Sequence, residues 1–145
     1  MHTITEKMTD STTTPSTKLS FTNRLIQSGK YLFLLPFAIF GFLHFGPLEF
    51  SIDYVPDFLP FKAFWVYFVG VALFAFVISA LVKKLDKLAA VSLAIMLLLF
   101  VFLIHIPKAT MGDFIGIIAT ARDVAMAGAA LMYAQKFAKD DRFVN

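Results

Sequence analysis

The chain holds two long uncharged stretches, AFWVYFVGVALFAFVISALV at residues 63–82 and LAAVSLAIMLLLFVFLIHI at residues 88–106. They are 20 and 19 residues long, and neither contains a charge. At a rise of about 1.5 Å per residue, about 20 apolar residues cross the roughly 30 Å of hydrocarbon in a bilayer. Each stretch therefore predicts a membrane-crossing helix. Only KKLDK (83–87) separates them, which is enough for a helical hairpin turn and nothing more.

On the N-terminal side, residues 31–45 (YLFLLPFAIFGFLHF) predict a further span, kinked at Pro36. The preceding FTNRLIQSG (21–29) has Phe21, Leu25 and Ile26 at roughly helical spacing, and suits a surface segment leading into that span. On the C-terminal side a fourth span falls within residues 114–137. Arg122 and Asp123 interrupt it, and a helix opening at Arg122 has just enough length before Lys139. The Ser- and Thr-rich residues 1–20 lack an apolar period and predict a disordered tail. They put charge long before any apolar run and offer no A-x-A-like site, which argues against a cleaved signal peptide. The expected architecture is all-α: a four-helix transmembrane bundle at 21–140, with cytoplasmic tails at 1–20 and 141–145.

Composition agrees. Of 145 residues 59% are hydrophobic and 16% charged, with 18 Phe, whereas a soluble domain has about 45–50% apolar and about 25% charged residues. A chain this short cannot hide that surplus in an aqueous fold. The absence of Cys excludes disulfides, thiol redox chemistry, iron–sulfur clusters and thiolate metal sites.

The net charge of +3 reads as topology. Ten of the 13 basic residues precede span one, fill the 83–87 turn or follow span four, leaving Lys62, Lys108 and Arg122 for the other side. By the positive-inside rule both termini face the cytoplasm of a bacterial inner membrane, which requires an even number of spans. Tyr54, Trp65 and Tyr67 then belong to an outer aromatic belt, and Tyr31 and Tyr133 to an inner one. Contact with anionic lipid accounts for the basic residues, and nucleic acid is not an expected partner.

The outer connection GPLEFSIDYVPDFLPFK (46–62) is too apolar to stand in water and is expected to fold back over the bundle. Loops of this size without regular structure are usually functional. Near it the sequence gathers polar groups: His44 ending span one, His105 ending span three, Arg122 and Asp123 opening span four, and Glu49, Asp53, Asp57 and Asp113 in the adjoining loops. The inner half offers little beyond Ser79 and Ser92. Charges within a membrane are functional candidates by default.

Three readings of this cluster compete. In the first, Arg122 snorkels to headgroup phosphates and Asp123 favours the positive end of span four. Being adjacent, the two do not face each other on a helix, so one needs another partner such as His105, His44 or a loop carboxylate. In the second, His44, His105, Arg122 and Asp123 line a Phe-rich pocket suited to a quinone, whose carbonyls accept hydrogen bonds while its tail lies in lipid. In the third, His44 and His105 ligate a haem iron. The small residues Ala121, Ala125 and Ala129, with Ala127, Gly128 and Ala130 nearby, suit close helix packing, and GDFIG (112–116) reads as a turn. No Walker loop, dinucleotide fingerprint, hydrolase triad or H-E-x-x-H motif occurs, so no catalytic residue and no metal ligand set is assigned.

In order along the chain, GFLHF (41–45), VPDFLPF (55–61), FVGVALFAF (68–76), KKLDK (83–87), LAAVSLAIMLLL (88–99) and RDVAMAGAALMYA (122–134) resemble the DoxX and DoxX-like family of small bacterial membrane proteins. The resemblance covers roughly 100 residues. It implies a four-span bundle and an association with quinone-linked oxidoreductase complexes, one relative being a subunit of thiosulfate:quinone oxidoreductase. Many members carry a Glu three residues after the span-two Gly, whereas Gly70 here is followed by Val71, Ala72 and Leu73. That departure counts against a proton-coupled or catalytic role. The expectation is a non-catalytic or accessory subunit of a redox or envelope complex that holds quinone or lipid near its outer face. Its partners would be the bilayer together with membrane or redox proteins or a second copy. The alternative is a quinone-linked oxidoreductase component in its own right. A transporter or channel would need a polar path through both leaflets, and polarity is concentrated in one.

Overall fold

The computed structural model describes residues 21–140, so the expectations for 1–20 and 141–145 lie outside the described residues. Four helices make up the bundle: α1 (Phe21–Leu43), α2 (Lys62–Val82), α3 (Asp86–Thr110) and α4 (Phe114–Lys136). Each is long and apolar enough to cross a membrane, the pattern of a multi-pass membrane protein. Large side chains such as Phe42, Phe64, Phe68 and Phe102 stand exposed on the outside of the bundle. On a soluble surface that much exposed hydrocarbon would drive association, but in a bilayer it is the lipid-facing coat.

Three helices run differently from the sequence expectation. Residues 21–29 form no separate surface segment; they are the first turns of α1, which continues unbroken through Pro36. α3 does not stop at Pro107 but runs on to Thr110. A π-helical turn at Val101–His105 makes this possible, its wide ring closed by the Ile106 N–H on the Val101 carbonyl. Proline lacks an N–H and crowds the carbonyl four residues back, and here it falls at the start of a fresh turn. α4 begins at Phe114, well before Arg122, because the Asp113 carboxylate caps it by accepting from the Ile115 N–H at 2.9 Å.

α1 packs on α2, α2 on α3 and α3 on α4. The α3–α4 contact is made by small residues, with Ala90, Ala94, Ala127 and Ala130 all buried. Ala121, Ala125 and Gly128 stay exposed, so intrabundle packing uses a neighbouring face of α4. Within GDFIG, Gly112 takes the left-handed turn at φ 84°, while Gly116 belongs to α4. A Cβ on Gly116 would lie 2.8 Å from the Ala109 nitrogen, so glycine lets the end of α3 close onto α4.

The half of the bundle nearer the 83–85 turn is filled by aromatic rings. Phe37 and Phe76 meet edge to face at 5.3 Å, and Phe33 and Tyr133 join them. Tyr133 is thus a core residue rather than part of an aromatic belt.

That end also holds a buried charge. Asp86, fully buried, accepts the backbone N–H groups of Lys139 and Asp140 at 2.9–3.1 Å and lies 3.6 Å from the Lys83 ammonium. Lys83 in turn donates to the Tyr133 hydroxyl at 2.5 Å. The polar content of this half is therefore greater than Ser79 and Ser92 alone suggest. Asp86 ties the end of α4 to the α2–α3 turn.

Candidate functional site

The opposite half of the bundle is hollow. A cavity of about 680 Å³ is walled by Phe37, Phe40 and His44 of α1, Trp65, Val66 and Leu73 of α2, Leu97, Phe100 and His105 of α3, and Ala119, Arg122, Asp123 and Met126 of α4. The loop at 46–61 covers it with Pro47, Ser51, Tyr54, Val55, Pro56 and Leu59. This loop is partly regular, with 3-10 turns at Leu48–Phe50 and Ile52–Tyr54. Three contacts hold it down. The Trp65 indole donates to the Pro60 carbonyl at 3.0 Å, the Lys108 ammonium sits 4.2 Å from the Tyr54 ring centre, and Lys62 pairs with Asp57 at 2.6 Å. That last contact holds the Asp57 carboxyl below the ordinary aspartate range, through the hydrogen bond first and the Lys62 charge second.

All four residues singled out from the sequence border this cavity. His105 and Asp123 are buried, and His105 Nε2 lies 3.1 Å from Asp123 Oδ2. A carboxylate can only accept, so Nε2 carries the hydrogen. The other oxygen, Oδ1, accepts from Arg122 Nε at 2.8 Å. Neighbours in sequence do meet here, because the long Arg122 side chain folds back along its own helix to reach the carboxylate. Asp123 lies well inside α4 rather than at its positive end, so its charge is balanced by side chains and not by the helix terminus. Arg122 does not snorkel away; its guanidinium carbon sits 5.4 Å from the Phe40 ring centre.

His44 stands apart from this chain. Its Nδ1 donates to the Phe40 carbonyl at 2.7 Å, which leaves Nε2 uncommitted. Its position depends on Gly70, where a Cβ would lie 2.8 Å from His44 Cβ and 2.9 Å from the Phe45 ring. Only glycine lets α1 approach α2 that closely. Glu49, Asp53, Asp57 and Asp113 are not among the residues that wall the cavity.

The π-helical turn accounts for the inward direction of His105. Leu93, Leu97, Val101 and His105 are all buried at steps of four. In an ideal helix of about 100° per residue, three such steps drift by about 120° and would carry the last residue off the core face. The wider turn offsets that drift and keeps His105 opposite Asp123. Nothing in the sequence signals this turn, and the expectation of a Phe-rich pocket does not single out Phe40 or include Trp65 as a wall. Ring-to-charge spacing between separate helices is a tertiary property.

Chemically the cavity is an apolar chamber with one charged edge. Among the described residues no three His, Asp or Glu side chains come together as a metal site, and no buried side-chain polar atom lacks a partner. No family model, curated protein or solved structure matches the chain.

Proposed function

We propose that this chain is a DoxX-like integral protein of the bacterial inner membrane, with both termini cytoplasmic, acting as a non-catalytic or accessory subunit of a redox or envelope complex. In this reading the loop-covered cavity holds a quinone or a lipid. The observation that carries it is a chamber within the span of about 300–1,000 Å³ usual for small-molecule sites, apolar on most sides and edged by His105, Asp123 and Arg122. A hydrophobic ligand with a hydrogen-bonding head fits such an enclosure. The family and orientation rest on the quoted motifs and on the distribution of Lys and Arg.

A second reading, a quinone-linked oxidoreductase component, is favoured by one feature. The His105–Asp123 hydrogen bond beside the cavity is a pair able to hold and pass a proton.

The experiment is purification in mild detergent, followed by an absorbance spectrum, extraction of quinones and lipids, and identification of co-purifying proteins. Bound quinone or lipid with a stable partner is the expected result. A monomer carrying neither, with no partner, would overturn both readings. Orientation is tested in this Cys-free chain with Glu49→Cys, which should react with a membrane-impermeant thiol reagent from the outside only.

A further inference from the structure

Arg122 lies about 12 Å along α4 from Phe114, deep within a helix that crosses a membrane. Its Nε is bonded to Asp123, but its two terminal nitrogens have no acceptor among the described residues, and its side chain is 46% exposed. On a soluble protein that would be ordinary. At this depth hydrocarbon offers no acceptor, and unsatisfied donors are costly. Something that brings oxygen atoms must meet this fork.

The place where it stands says what that is. α1 and α4 approach each other less closely than the other neighbouring helices do. They meet through side chains, Phe33 on Tyr133 in the filled half and Phe40 beneath Arg122 in the hollow half. Phe40 and Arg122 both wall the cavity, Phe40 is only half-buried and Arg122 is exposed, so the loosely packed seam between them is where the chamber can open to the bilayer. The water-facing end is covered by the anchored loop.

We infer that the cavity is entered sideways, through the α1–α4 seam, by a membrane-resident amphiphile. Its oxygen-bearing head accepts from the terminal nitrogens of Arg122, and its tail leaves past Phe40 into lipid. This rests on the reading that the cavity binds quinone or lipid, and adds where the head sits and by which route it arrives. Paired quinone carbonyls and an anionic lipid headgroup share the required chemistry. A chamber of this size takes a head and the first part of a tail, and a longer tail has to extend along the seam.

Trp65 is the only Trp in the chain and walls the cavity, so its fluorescence reports occupancy. The full chain is reconstituted in phosphatidylcholine nanodiscs and titrated with three probes: a quinone with a ten-carbon tail, the same ring without a tail, and an anionic lipid brominated along its acyl chain. The expected result is saturable quenching by the tailed quinone or the brominated lipid, whichever saturates naming the source. Arg122→Gln should weaken half-saturation at least about tenfold, as for the loss of one charge-assisted hydrogen bond. If Arg122→Gln does not fold, Arg122→Lys keeps the charge beside Asp123 but withdraws the fork, and weakening is again expected. Saturable quenching that ignores both substitutions would overturn the head position while leaving ligand binding intact. Equal quenching by tailed and tailless rings at matched membrane concentration would overturn the seam. Quenching that never saturates with any probe would overturn the inference and the binding reading beneath it.

Discussion

Asp123 shares its two oxygens between two helices, Oδ2 accepting from His105 of α3 at 3.1 Å and Oδ1 from Arg122 beside it on α4. The carboxylate is therefore what keeps the guanidinium from standing alone in hydrocarbon. Asp123→Leu should lower stability by about 3 kcal/mol, since it leaves a charge without its partner. The double variant Arg122→Leu, Asp123→Leu should recover at least half of that loss, because no lone charge remains. Thermal unfolding in detergent checks both. A double variant as unstable as the single would attribute the damage to lost packing.

Two helical glycines, one crowded and one open, should respond in opposite ways. Gly70→Ala drives a methyl group into His44 Cβ and the Phe45 ring, and should cost about 1–3 kcal/mol while displacing His44 from the cavity wall. Gly128→Ala meets nothing within 4 Å and should be neutral or stabilising by up to about 1 kcal/mol. Paired melting curves decide this, and equal destabilisation by both would contradict the packing described.

Asp86 should prove to be the fastening of the C-terminal end. Asp86→Ala removes the acceptor of two backbone N–H groups and the partner of Lys83, and should cost about 1.5–3 kcal/mol. Carboxypeptidase should then digest past Asp140 faster than in the parent chain. Unchanged digestion would mean that the α4 end is held by its other contacts.

The loop anchor at Asp57 carries a pH signature. Because Lys62 lowers the folded carboxyl below its unfolded value, the contribution of this contact is fully present above the ordinary aspartate pKa of about 3.9. It is lost as the pH falls through the lower folded value. Trp65 emission, which senses the loop through Pro60, should hold steady from about pH 7 to pH 5 and shift to the red only below about pH 4. Asp57→Asn should show the shifted spectrum throughout. A midpoint near pH 6 would assign the change to a histidine instead.

Much of this architecture is legible in one dimension. An uncharged run such as 63–82 has no stable place in water, so composition and length alone imply the spans, and the basic residues mark their ends. Harder to read were the helix limits near Pro107 and Arg122. Proline and charge usually end helices, but a π-helical turn absorbed the first and a His–Asp–Arg chain neutralised the second. In the sequence Asp86 reads as a turn residue among lysines, whereas its burial depends on where the end of α4 falls.

Four apolar helices, a loop too greasy for water and a short roster of polar residues around it can all be read from the chain before it folds, because hydrophobic content and period are local properties. It takes the packed helices to fill one half of the bundle with rings and leave the other hollow, to admit His44 beside Gly70, and to bring His105 and Arg122 onto one carboxylate. Those outcomes depend on the approach of helices distant in the chain, where a missing Cβ or one extra residue in a turn redirects a side chain.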